Sequence, residues 1–161
     1  MVKISNLSLY IINRVIYRSY VIGLLQEKLS GILGKASGYV NNTRNQNNDA
    51  IFSPAEYRGL ADALGWETHD LLPPANTPYT DGTLVDKIVF TLRNFDNTKE
   101  VLLGMIDNKY FDTPKSLDDI YNHLYLVKNS ADPEKRKVVL DVLTKLTESG
   151  NLKLHKDKYS I

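Results

Sequence analysis

Apolar residues recur at helical spacing through most of this chain, and the interruptions divide it into elements. Residues 9–22 carry Ile12, Val15, Ile16 and Tyr20 on one stripe, which predicts a first helix. Leu25, Leu29 and Ile32 mark a second, which Gly34 ends. Ser37 to Arg44 makes a short third helix, with Val40 as its apolar contact. Ser53 is an N-cap, Pro54 takes the first helical position, and Glu56 completes a capping box. That helix runs through Leu60 and Leu64 to Gly65, and a last turn spans Thr68 to Leu72.

The second half follows another rhythm. Leu84 to Phe90 fits helix or strand equally well. Val101, Leu102, Met105 and Ile106 define a helical face over Lys99–Asn108. Ser116 caps a helix over Leu117–Val127, with Ile120, Leu124 and Val127 on one side. Asp132-Pro133-Glu134 opens a long amphipathic helix to Ser149, carrying Val139, Val142, Leu143 and Leu146, and Gly150 stops it. Leu152 and Leu154 then alternate with Lys153 and His155. Lys156 to Lys158 supplies a turn, and Tyr159 and Ile161 alternate again, the pattern of a terminal β-hairpin.

Three prolines fall between Pro73 and Pro78, where no helix can continue. The expected organisation is therefore a helical domain over 1–72, a proline-rich linker over 73–83 and a second domain over 84–161. The fold class is mainly α, with five helices in the first domain and a β-hairpin closing the second.

Composition narrows the function. With 161 residues and 42% hydrophobic content, a packed core is expected. The chain has no cysteine, which excludes disulfides and thiolate metal sites. The histidines, at 69, 123 and 155, share no helical turn, so no metal site is expected. No apolar run approaches the ~20 residues of a membrane span, so a cytoplasmic protein is expected. Net charge is +1: residues 1–72 hold seven Lys/Arg against six Asp/Glu, and 73–161 hold thirteen of each. Any basic surface must come from clustering, and residues 134–161, with seven Lys/Arg against four Asp/Glu, hold the visible cluster.

The segment Gly23–Asn45 has a small residue (Ser30), a turn glycine (Gly34) and an apolar residue (Val40) spaced as in a helix-turn-helix. With Gln26-Glu27-Lys28-Leu29-Ser30 at its start, and Ala61–Gly65 followed by His69–Pro73 further on, residues 9–72 resemble the Xre/phage-repressor helix-turn-helix family. The resemblance implies that Gln26 touches phosphate and braces the recognition helix. It implies that Ser37, Gly38 and Asn42 face base edges, that Asn41 or Asn42 can pair bidentately with adenine, and that Arg44 and Asn45 lie by the backbone. The sequence departs from that pattern at Arg18, Ser19, Thr43 and Gly38. Residues 84–161 resemble a winged helix by element order, which implies that the helix before the hairpin, carrying Lys135, Arg136, Lys137 and Lys145, enters the groove and that Lys153, Lys156 and Lys158 on the wing touch the backbone.

Carboxylates that invite a catalytic reading, Asp118, Asp119 and Glu134, fall at predicted helix N-termini, where the helix dipole accounts for them. No nucleophile elbow, phosphate-binding glycine loop or carboxylate–histidine spacing appears, so neither enzyme activity nor a cofactor is expected. The sequence reading is a DNA-binding transcriptional regulator of bacterial or phage type, acting as a homodimer on double-stranded DNA. The alternative is an adaptor that keeps the same shape for protein contacts. Any small-molecule effector is left open.

Overall fold

Ser5 fixes where the first helix begins. Its hydroxyl accepts the Ser8 backbone N–H at 3.1 Å, the bond an N-cap makes with the third helical residue. The structure is a computed structural model that describes residues 1–80, 82–126 and 132–161. Within these residues the chain is mainly helical, with two small antiparallel sheets. No helix of the described residues is long and apolar enough to cross a membrane.

The chain divides into two compact units: Met1–Ser19 with Leu24–Phe90, and Tyr20–Gly23 with Thr91–Ile161. The first opens with strand β1 (Lys3–Ser5) and helix α1 (Asn6–Ile22), whose last turn belongs to the second unit. Helices α2 (Gln26–Ile32), α3 (Tyr39–Arg44) and α4 (Tyr57–Leu64) follow, then a 3-10 turn at Thr68–Leu71 and strand β2 (Leu84–Asp86). Their core gathers Ile11, Ile12, Val15, Ile16, Leu29, Val40, Phe52, Leu60, Leu64 and Leu71, all almost without exposed surface.

Two expectations are corrected here. The segment 84–90 does not open the second domain. Its strand β2 pairs with β1, Ile4 opposite Val85, and so belongs to the first unit. The proline segment does not divide the chain either, because the boundary falls between Phe90 and Thr91. Docking onto α1 explains this: Asn6 donates its side-chain N–H to the Pro78 carbonyl at 2.7 Å, and the rings of Tyr10 and Tyr79 lie 4.9 Å apart. Asp81, within the expected linker, lies outside the described residues.

The second unit runs α5 (Phe95–Asp107), β3 (Lys115–Ser116), α6 (Leu117–Tyr125), α7 (Pro133–Glu148), β4 (Lys153–His155) and β5 (Lys158–Ser160). Asn94, Ser116 and Asp132 cap the three helices with side-chain oxygens that accept backbone N–H groups. Val127, expected in α6, lies outside the described residues. The hairpin forms as expected, and Lys156 and Asp157 both take positive φ, as a two-residue hairpin turn requires. The sheet order is β3-β5-β4, with buried Tyr159 of the central strand opposite Lys115 on one side and Leu154 on the other.

Candidate nucleic-acid interface

The α2–α3 corner is held by one hydroxyl. Ser30 donates to the Gln26 carbonyl at 2.9 Å and accepts the Val40 backbone N–H at 3.1 Å. That N–H lies in the first turn of α3, where no intrahelical acceptor exists. A residue of serine's size therefore both satisfies an orphan donor and lets α3 approach α2. Gly34, at φ +66°, closes α2, and Lys35 returns its N–H to the Ser30 carbonyl at 2.9 Å.

Helix α3 begins at Tyr39 and not at Ser37 as expected; Val40 and Thr43 are buried, and Asn41 and Asn42 on the helix and Ser37, Gly38 and Asn45 at its ends are exposed. Gln26, at the start of α2, and Arg44 are half-buried. The residues that the resemblance assigns to base edges thus share the solvent side of the corner. Their surface is polar and uncharged.

Two departures from the family pattern are structural. Thr43 occupies a buried position and satisfies its hydroxyl on the Val40 carbonyl at 2.8 Å. Arg18 donates to the Leu64 carbonyl at the end of α4 at 3.1 Å, where a cation meets the negative end of the helix dipole. With Arg14, which donates to the Asp70 carbonyl at 3.0 Å, it lies over the Trp66 ring. Trp66 is half-buried beneath these guanidinium groups, as a cover on the core.

Beside α3 stands a cluster that sequence reasoning missed. The Tyr39 hydroxyl donates to Glu56 Oε2 at 2.7 Å, the Ser53 backbone N–H donates to the same oxygen at 2.7 Å, and Lys35 Nζ lies 3.1 Å from Oε1. Burial pushes the Glu56 carboxyl upward, but the donors from Ser53, Tyr39 and Lys35 outweigh it and hold the group below its usual range. Burial and the bond to Glu56 raise the Tyr39 phenol. The capping box flagged Glu56 as a helix start; nothing in the sequence linked it to residues 35 and 39. Lys35, in the turn after α2, is thereby committed to the carboxylate of Glu56 just before α4.

In the second unit the predicted cations divide into two sets. Lys135 pairs with Asp132 at 3.4 Å, and Arg136 with Asp118 at 2.6 Å. Lys153, Lys156 and Lys158 of the hairpin are exposed, as is Lys137. The solvent side of α7 is not a basic stripe, since Glu134, Asp141 and Glu148 share it with Lys137 and Lys145. Comparison of the chain with protein-family models, with curated proteins and with solved structures finds no match.

Proposed function

We propose that the protein is a sequence-specific DNA-binding regulator of bacterial or phage type that occupies an operator or promoter as a homodimer. The observation that carries this reading is the Ser30-bridged α2–α3 corner, with Ser37, Gly38, Asn41, Asn42 and Asn45 on its solvent side. An asparagine there can pair bidentately with adenine through N6 and N7. The second unit supports the reading through its order α5–β3–α6–α7–β4–β5, that of a winged helix, although such a fold also serves protein contacts. Because Lys135 and Arg136 hold Asp132 and Asp118, the phosphate contacts fall chiefly to Lys153, Lys156 and Lys158, with Arg44 and Asn45 at the end of α3.

The test is the salt dependence of binding to duplex DNA, read by fluorescence anisotropy. Two to four neutralised phosphates per copy, and so four to eight per dimer, predict a loss of roughly a hundred- to ten-thousandfold in affinity between ~50 and ~200 mM salt. No binding to random duplex at ~50 mM salt would sink the reading.

A second reading, an adaptor with little DNA affinity, is favoured by the uncharged solvent side of α3 and the mixed charges on α7. It predicts the flat outcome of the same titration.

A further inference from the structure

The β1–β2 ribbon has one face turned into the first unit and one turned to solvent. Alternation places Ile4 and Lys87 inward, both buried, and Lys3, Leu84, Asp86 and Ile88 outward. Leu84 and Ile88 are each 62% exposed, although both are large and apolar. Between them along the chain lies Asp86, which pairs across the strands with Lys3 at 3.4 Å. Asp86 and Ile88 form part of the wall of a groove of about 470 Å³, which Leu9, Tyr10, Tyr79 and Val85 also line. Protruding apolar side chains, an apolar recess, a cation and an anion thus sit together on one side of one unit.

A surface with those properties complements itself. A two-fold axis through the Lys3–Asp86 pair sets Lys3 of one copy against Asp86 of the other, and the reverse, so both charges are matched twice. It also sets Leu84 of each copy against the apolar recess of the other, which Ile88 helps to wall. We infer that the outer face of the β1–β2 ribbon is a self-association surface, and that its occupant is a second copy of this chain. A partner of one charge sign leaves either Lys3 or Asp86 facing its like, whereas a second copy does not. The inference deepens the homodimer part of the function proposed above and rests on none of its DNA part.

Sedimentation equilibrium of the full chain, without DNA, tests it. The wild type is expected to dimerise reversibly in the micromolar range, and Leu84→Glu with Ile88→Glu to weaken association at least tenfold. Circular dichroism should remain unchanged, because both side chains are exposed. The charge reversals Lys3→Glu and Asp86→Lys supply an independent arm. Each alone is expected to self-associate poorly, since it brings like charges together. An equimolar mixture of the two should restore dimers, because only contacts between copies are then repaired; the pair within each chain stays repulsive. A monomeric wild type, a Leu84→Glu/Ile88→Glu variant that dimerises normally, or a mixture no better than its components would each overturn the proposal. A monomeric wild type would also remove the homodimer from the function proposed above, whereas duplex binding itself is read separately by the salt titration.

Discussion

Lys87 is wholly without exposed surface, and its ammonium group donates to the carbonyls of Asn48 at 2.7 Å and Ala50 at 2.8 Å. Those carbonyls belong to the loop that leaves α3, so one buried cation anchors the chain just past the candidate recognition helix. Burial lowers the group's proton affinity, and Asp49 acts in the opposite direction. His123 is a second titratable group set by its surroundings. Its Nε2 lies 3.0 Å from the Val21 carbonyl, and its ring packs against Tyr110. It also explains Gly23: at φ +67°, an added Cβ there would come within 2.8 Å of the imidazole. Burial pushes His123 below its ordinary value, against the pull of the Val21 and Tyr20 carbonyls. Between the lowered folded value and the unfolded one of about 6.5, the unfolded chain holds more protons. Its contribution to stability is therefore complete above pH ~6.5 and is lost as pH falls through the folded value. Urea titrations should show a lower midpoint at pH 5.5 than at 7.5, and His123→Gln should shrink that difference. An unchanged difference in the variant would exclude His123 as its source.

At the scale of elements, short helices are held by what they touch. The six residues of α3 are too few to be stable alone, and burial of Val40 and Thr43 with the Ser30 bond fixes them. Ser30→Ala removes the acceptor of a buried backbone N–H and is expected to cost about 1–3 kcal/mol. Chemical denaturation measures that loss, and weaker amide protection confined to α3 would localise it. A cost near zero would mean that packing, not the hydroxyl, sets the corner. Caps show the opposite balance, with local sequence sufficient. Ser53-Pro54 with Glu56, and Ser116 as a cap, were legible because capping acts over three residues. The strands β1, β2 and β3 were not legible. Their partners lie far along the chain, whereas the equally short β4 and β5 flank a two-residue turn that marks both.

For the whole molecule, the division lies where packing puts it and not where prolines do. A fragment ending at Leu72 loses β2, Lys87 and Val89, which the first unit buries, and one ending at Phe90 keeps them. The shorter fragment is expected to melt at least ~5 °C lower or to lack a cooperative transition, and the longer one to melt cooperatively; circular dichroism compares them. Equal melting would restore the proline segment as the boundary. The sequence by itself determined the mainly helical class, the caps, the terminal hairpin and the exposed asparagines of α3, because periodicity and capping are local. Only the tertiary structure decided that β1 takes β2 as its partner, that Lys35 is spent on Glu56 and Arg136 on Asp118, and that Lys87 is buried. The pairings join residues 18 or more apart, and the burial of Lys87 rests on carbonyls more than 35 residues away, so no local pattern records them.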